Sequence, residues 1–262
     1  MADITAAMVK ALREETGGGM MECKKALIEA GGNAEDARDA LRAKGLAMAE
    51  KKAGRDTSEG LVAIASGEGQ AAMVEVRCET DFCARNDEFR TMVANIANMA
   101  LAGGEGNVEA TEAITQRVQE VLAKIGENIS YTHGVKICAS KIGTYVHHNG
   151  KVGVIVGVEG EAAGETLTDL CMHIAFANPI GIMPDDIPQD LVTKEKEIAK
   201  QQAIEASKNE QVAEKMVAGK VKKFLAANAL LEQPFVRDDK KKVKEILGSA
   251  KVKAFIRFAV GE

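Results

Sequence analysis

The sequence predicts an α+β fold in which helical segments flank a core of two small antiparallel sheets. The N-terminal segment and residues 190–226 repeat apolar residues every three or four positions, as amphipathic helices do. Elsewhere the apolar period changes to two, as in strands. The 262 residues are 46% hydrophobic but only 3% aromatic, so aliphatic side chains and the 11 methionines must fill the cores.

Residues 1–54 are predicted to form a compact module of three short helices. Thr5 and Asn33 can cap the first and third helices, because their side-chain oxygens accept free backbone N–H groups. Glycines at 17–19 and at Gly45 are expected to end the same two helices. The residues expected to face the core of the module are Met8, Val9, Leu12, Met20, Cys23, Leu27, Ala37, Ala40 and Leu41.

Residues 55–140 are predicted to form a first α+β subdomain, which the polar stretch 50–58 joins to the module. The alternation of apolar and polar residues from Ala72 to Glu79 is typical of a strand buried on one face. Asn86 is a good N-cap for the helix that follows. The expected strands are 61–65, 72–79 and 135–139, and the expected helices are 86–102 and 108–124.

Residues 141–185 and 229–262 are predicted to form a second α+β subdomain with the same order of hairpin and helix. Its expected strands are 142–146, 151–158, 233–236 and 254–260, with helices at 167–177 and 239–247. Residues 186–228 interrupt it as a helical hairpin, broken near 207–209, which projects and offers a face to a second chain. The residues expected to join its two arms are Ile198, Ile204, Val212, Met216, Val217 and Phe224.

Charge is distributed unevenly along the chain. The net charge is −5, yet residues 220–257 hold 11 Lys and Arg against 4 Asp and Glu. This basic segment could contact RNA or an acidic protein, or it could be a solvated face. An RNA-binding or scaffold protein that uses residues 220–257 is therefore the alternative function, although the overall acidity weakens it.

No catalytic motif is present in the sequence. A phosphate-binding loop, a dinucleotide fingerprint, a helical zinc motif and a serine-hydrolase elbow are all missing. Cys23 lies in a helix stripe and Cys83 has no histidine nearby in sequence, so a thiol nucleophile is not expected. His133, His147, His148 and His173 lack zinc-site spacing. We expect a binding protein without a cofactor or metal ion, and not an enzyme.

The cysteine pattern and the N-terminus predict a cytoplasmic location. The five cysteines form no CxxC pair, which is typical of reduced and mostly buried thiols. Residues 1–5 lack the basic and apolar regions of a signal peptide, and no apolar run is long enough to span a bilayer. No membrane contact is expected.

The segment Thr80-Asp81-Phe82-Cys83 lies between the strand that ends at Thr80 and the helix capped by Asn86. It is therefore expected on a connection, where a large ring can act as an anchor or wedge on a partner. The residues around it favour a different interpretation. In that reading Phe82 folds back into its own core and Asp81 caps the next turn.

Several separated segments of the chain resemble bacterial elongation factor Ts, in the same order and from residue 1 to the end. The resemblance implies a UBA-like three-helix module, two α+β subdomains and a coiled-coil arm. The segments that carry it are 4–13, 16–27, 80–83, 126–129, 214–217 with 223–224, 233–236 and 255–258.

The resemblance implies a function in translation. The family accelerates GDP release from elongation factor Tu, so that GTP can enter. The resemblance assigns Thr80, Asp81, Phe82 and Cys83 to the partner's magnesium and nucleotide site. In this assignment Phe82 is an apolar wedge, and Asp81 is a polar anchor or a negative charge. The expected partner states are the GDP-bound and nucleotide-free forms. This assignment reverses the preference for a buried ring.

The resemblance also suggests contacts elsewhere. Arg13, Met20 and Lys24 would grip the partner's nucleotide-binding domain, and His147 would touch another partner domain. A core position for Met20 and a solvated turn for His147 are the alternatives. The arm serves self-association in some members, so a homodimer through the helical hairpin is a further expectation, and no direct contact with nucleic acid is expected. Cys83 stands where the family usually has Val, a small exchange that should spare the wedge.

Overall fold

The computed structural model describes residues 3–206 and 210–262, without the side chains of Leu46 and Glu205. The break predicted near 207–209 lies outside the described residues. The helices are α1 (Ala6–Thr16), α2 (Met20–Glu29), α3 (Ala34–Lys52), α4 (Asp81–Arg85), α5 (Asp87–Ala102), α6 (Glu112–Ile125), α7 (Gly164–Ala177), α8 (Gln189–Ala206), α9 (Glu210–Asn228) and α10 (Val243–Leu247). The strands are β1 (Glu59–Gly67), β2 (Gln70–Cys78), β3 (Gly106–Asn107), β4 (Ile129–Cys138), β5 (Lys141–Val146), β6 (Val152–Glu159), β7 (Pro234–Phe235), β8 (Asp238–Lys242) and β9 (Lys251–Ala259). The predicted α+β class is confirmed.

Helices α1 to α3 form the N-terminal module. The Thr5 hydroxyl accepts the Met8 N–H, and Gly17 ends α1 with a φ of 64°, as predicted. The prediction is wrong for Ala40 and Met20, whose side chains face the solvent and not the other two helices. The core of the module consists of Val9, Leu12, Cys23, Ala26, Leu27 and Ala37.

Helix α3 does not end at Gly45, as predicted, but continues to Lys52. Gly45 is buried against α6, and a Cβ at this position would lie 3.3 Å from the Cβ of Ala123. The glycine therefore allows two helices to approach closely and does not act as a terminator. The expected polar linker is correspondingly shortened, because its first residues are helical.

The first sheet has the strand order β1-β2-β4-β3 and is antiparallel. Its outer face is covered by α4, α5 and α6. Strand β2 was predicted to be buried on one face, but it is buried on both, because a second sheet packs against its other side. Even Glu75 is only 1% exposed, and its carboxylate accepts a bond from Arg77 Nε at 2.5 Å.

The second sheet has the order β5-β6-β9 and is also antiparallel. Its outer face packs on α7 and α10. At Gly153 an added Cβ would lie 2.5 Å from Val62 Cγ1, so the absence of a side chain lets the two sheets meet. The core between the sheets consists of Val62, Ala71, Met73, Ile137, Ile155 and Phe258.

Two predicted helices begin later than the sequence suggested. Helix α6 starts at Glu112, since Thr111 is its N-cap, while Val108 donates its N–H to the carbonyl of Gly134 in an extended conformation. Residues 238–242 form strand β8, which pairs with β7, so the helix expected at 239–247 is reduced to α10. The other strands predicted in both subdomains are present with shifted ends.

Helices α8 and α9 pack against each other as the predicted hairpin. Ala199 and Ala203 are fully buried in this contact. Ile198, Ile204 and Val212, which were predicted to join the arms, are exposed instead. Ala199 and Ala203, four positions apart, mark the buried face of α8, and Ile198 and Ile204 lie beside that face. At the base, the Ile180 N–H bonds to the carbonyl of Asn228.

Candidate functional site

The Thr80-Asp81-Phe82-Cys83 segment forms the start of helix α4 and is not an irregular connection. Thr80 is the N-cap, and its hydroxyl accepts the Cys83 N–H at 3.2 Å. The carbonyl of Thr80 accepts the Ala84 N–H at 3.1 Å. Asn86 then ends α4 and caps α5, accepting the Glu88 N–H at 2.8 Å. Two capped helices in succession leave this turn few alternative backbone conformations.

Phe82 projects from the surface and does not fold back into the core. Its side chain is 79% exposed, whereas the next residues, Cys83 and Ala84, belong to the core under the first sheet. The interpretation of a buried ring is therefore wrong. An exposed ring on an element with a buried base is the arrangement typical of an interface anchor.

Asp81 lies beside the ring in the first turn of α4. Its carboxylate is 3.0 Å from Arg85 Nη2, four residues later. Asp81 does not cap the turn, because Thr80 does so. Both partners of this ion pair are exposed, so it contributes little to stability and Asp81 can exchange Arg85 for another partner at small cost.

Two thiols lie beneath the turn. The hydrogen bond with Cys83 and then burial raise the pKa of Cys78. The Cys78 thiol donates to the carbonyl of Thr80 at 3.3 Å. A protonated, buried thiol is a poor nucleophile, so this pair supports the turn and does no chemistry.

Glu127, in the connection between α6 and β4, holds the turn, a contact that the sequence did not reveal. Its carboxylate accepts the Thr80 N–H at 3.0 Å and the Thr80 hydroxyl at 2.7 Å. Glu127 and Thr80 are 47 positions apart. Only the pairing register of β2 and β4 could have indicated their contact, since no local pattern links them.

The other predicted contact residues lie on separate elements. Arg13, Met20 and Lys24 are all exposed on the N-terminal module, so the core interpretation of Met20 is wrong. Met21 and Ile28 are also exposed on α2, and sequence reasoning missed them. This module therefore exposes apolar, basic and acidic side chains together, since Glu22 and Glu29 of α2 are exposed as well.

His147 lies in the turn between β5 and β6. Its Nδ1 is 2.7 Å from the Tyr145 hydroxyl, and its ring centroid is 4.3 Å from that of His148. The side chain is partly buried, so it is held by neighbouring rings and is not simply solvated. It belongs to the second sheet, whereas Phe82 follows the first.

About half of the cations in the basic segment 220–257 form ion pairs. Lys242 and Lys244 both bind Glu232, which lowers the pKa of that carboxyl. Six of the eleven cations of the segment have ion-pair partners among the described residues. They are Arg237, Lys241, Lys242, Lys244, Lys253 and Arg257. Ion pairing thus reduces the charge that could face a phosphate backbone without removing it.

Residues 3–206 and 210–262 contain no group of three or more His, Cys, Asp or Glu side chains placed to hold a metal ion. Within the same residues, every helix is too short or too polar to cross a bilayer. A cavity of about 360 Å³ lies between the N-terminal module and α6. Its lining mixes acidic and basic side chains and shows no preference for one ligand charge.

Comparisons with known proteins agree with the resemblance. The family model described as Elongation factor TS matches residues 79–262. The Elongation factor Ts of Marinobacter nauticus is 45% identical over 269 residues, which cover 100% of this chain and 92% of the relative. The Elongation factor Ts of Vibrio cholerae is 44% identical, covering 99% and 92%. That of Thioalkalivibrio sulfidiphilus is 43% identical with the same coverage.

Proposed function

The chain belongs to the elongation factor Ts family, and from this premise we propose that it is the guanine nucleotide exchange factor for elongation factor Tu. It would bind the GDP-bound form, promote GDP release and leave the nucleotide-free partner ready for GTP. No covalent bond is made or broken by the factor itself. Its place of action is the cytoplasm, where translation elongation occurs.

The exposure of Phe82 on a capped and anchored helix carries the proposed mechanism. Magnesium bridges the phosphates of a bound nucleotide and tolerates only near-octahedral geometry. A rigid ring that shifts the partner's elements around the ion would displace magnesium and loosen GDP. Phe82 supplies this wedge, and Asp81 supplies a polar anchor or a negative charge near the site.

Thermodynamic linkage sets the direction of the effect. A factor that weakens GDP binding must itself be bound more weakly by the GDP form, by the same ratio. Each tenfold difference requires about 1.4 kcal/mol of coupling. The free energy for displacing GDP must therefore come from contacts that form fully only with nucleotide-free elongation factor Tu.

Other exposed residues support additional contacts. We assign Arg13, Met20 and Lys24 to the partner's nucleotide-binding domain, and His147 to a second partner domain. Ile198 and Ile204 are exposed on α8, which supports pairing of the hairpin with that of a second copy. Since most cations of the basic segment are paired, no observation favours the RNA-binding alternative.

A stopped-flow experiment tests the proposed function. Elongation factor Tu loaded with a fluorescent GDP analogue is mixed with this protein and excess unlabelled GDP. The protein should accelerate loss of fluorescence in a concentration-dependent and saturable way. A release rate that equals the spontaneous rate at all concentrations would overturn the proposal.

A further inference from the structure

The pairing of strands β2 and β4 continues past its last backbone pair through side chains. That last pair joins Cys78 to Ile129. At the next position, Asn128 donates its N–H to the Glu79 carboxylate at 2.5 Å. One position further, the Glu127 carboxylate accepts two bonds from Thr80. We call Glu79, Thr80, Glu127 and Asn128 the strand-end clasp.

The clasp fixes the orientation of the Thr80 hydroxyl. A hydroxyl has one hydrogen, and an ionised carboxylate can only accept. The hydrogen must therefore point to Glu127 at 2.7 Å, which leaves a lone pair for the Cys83 N–H at 3.2 Å. Helix α4 has only five residues, so it has little stability of its own and depends on this cap.

Glu127 is itself held in place. It follows Gly126, which ends α6 with a φ of 82° and whose carbonyl accepts a bond from Lys52. The neighbouring Asn128 side chain donates to the carbonyl of Arg55 at 2.8 Å. Residues at the end of α3 and just after it thus support the clasp from the side of the N-terminal module. The residues on both sides of Glu127 are therefore held by hydrogen bonds, which restrain the carboxylate that binds Thr80.

We propose that Glu127 is a positioning residue for the Asp81-Phe82 turn. It does not touch the partner in this role. Its two bonds to Thr80 set the direction in which Phe82 enters the partner, and so they govern how fast GDP leaves once the two proteins are bound. The inference rests on the proposed exchange function and adds a residue to it.

The second sheet contains a matched control. Strands β5 and β6 pair up to Lys141 and Val158, and one position further the Glu159 carboxylate accepts the N–H and hydroxyl of Ser140. This is the same side-chain extension of an antiparallel pair, but no contact residue follows it. Glu159→Ala therefore removes an equivalent pair of bonds away from the Phe82 turn.

The experiment compares Glu127→Ala with Glu159→Ala in the stopped-flow assay. Glu127→Ala should lower the maximal GDP-release rate at saturating factor by about tenfold or more, as expected for two bonds to a charged acceptor. The half-saturating concentration should change much less, because the rest of the interface is intact. Thr80→Ala combined with Glu127→Ala should be no slower than the slower single variant. Glu159→Ala should keep the wild-type rate.

A second readout does not depend on exchange. The chain has no tryptophan, so Phe82→Trp places a single indole on the turn. In that background Glu127→Ala should lower the fluorescence anisotropy of the indole, and Glu159→Ala should not. If Glu127→Ala fails to fold, Glu127→Gln keeps one acceptor oxygen and should give an intermediate loss in both measurements.

The outcomes separate the two proposals. If wild-type protein does not accelerate GDP release, the exchange function fails, while the anisotropy still decides whether Glu127 orders the turn. If wild-type protein is active and Glu127→Ala matches Glu159→Ala in maximal rate and anisotropy, the positioning role is overturned and the exchange function stands.

Discussion

Phe82 and Cys83 are neighbours in the chain, but their side chains have opposite environments. The ring of Phe82 is 79% exposed, whereas the side chain of Cys83 is 3% exposed and packs in the core below. Successive residues of a helix point in different directions, so one turn of α4 can face both the solvent and the core. Contact with a partner and stability of the fold therefore depend on different residues of the same turn.

Substitution of these two residues should separate exchange from folding. Phe82→Ala should slow factor-stimulated GDP release strongly while changing the unfolding free energy by no more than about 0.5 kcal/mol, since the ring is exposed. Cys83→Ser should cost about 1–3 kcal/mol of stability, because it buries a hydroxyl in an apolar site. Stopped-flow release and urea denaturation measure the two effects.

Phe176 provides the control for Phe82. It is 81% exposed on α7, so Phe176→Ala removes a ring of the same kind from a different surface. This variant should retain the wild-type rate of GDP release. Equal losses for Phe82→Ala and Phe176→Ala would contradict a specific role for the turn.

The contact between Gly45 and Ala123 makes a second prediction. Gly45→Leu should destabilise the protein by about 1–3 kcal/mol, because the added atoms meet α6 at a closely packed crossing. Gly219 is the control, since it lies within α9 with nothing near its Cβ position. Gly219→Ala should instead stabilise the protein by about 0.5–1 kcal/mol through helix propensity. The urea midpoint should therefore fall for Gly45→Leu and rise for Gly219→Ala. A higher midpoint for Gly45→Leu would contradict the close packing of α3 on α6 at this residue.

Local signals in the sequence predicted much of the fold. Thr5, Asn33 and Asn86 were correctly identified as N-caps, because capping depends on a few neighbouring residues. The burial of Glu75 was missed, because it depends on a sheet contributed by a distant part of the chain. Gly45 was taken as a terminator, since a glycine needed for helix packing has the same local pattern as one that ends a helix.

The position of the candidate site was predictable from the sequence, but the exposure of its ring and its support by Glu127 were not. Thr80-Asp81-Phe82-Cys83 attracted attention as a turn after a strand, but its local sequence favoured a buried ring. An exposed ring was the less favoured alternative until the family resemblance reversed the preference, because exposure depends on whether the core has room for the ring. Glu127 could not have been assigned a role, since its contact with Thr80 depends on strand register.

The thiols should differ in reactivity. Burial raises the pKa of Cys171 to about 12, and the pKa of Cys78 is raised by its bond with Cys83 and by burial. Cys138 is the most exposed of the five cysteines. At neutral pH a thiol reagent should therefore label Cys138 of the native protein rapidly and the other cysteines slowly. Cys138→Ser should abolish the rapid phase of labelling. Rapid labelling of Cys78 or Cys171 without unfolding would contradict the burial.

His173 makes the last prediction, which concerns pH. Its Nδ1 accepts the Val236 N–H at 3.3 Å, so the proton is on Nε2, which donates to Gln233 Oε1 at 2.9 Å. Burial lowers the pKa of His173 from its usual value of 6.5. The unfolded chain therefore binds a proton at this residue more readily than the folded protein does.

Stability should fall as the pH drops below about 6.5, since protonation of His173 favours the unfolded chain. The carboxyl of Glu232 acts at lower pH, because its lysine partners depress its pKa below 4.5. Urea denaturation at pH 7.5 and 5.5 measures this loss of stability, and comparison with His173→Gln assigns it to His173. His173→Gln should be less stable at both values, because the ring's packing is lost, but its unfolding free energy should depend less on pH. An unchanged pH dependence in this variant would show that another group controls it.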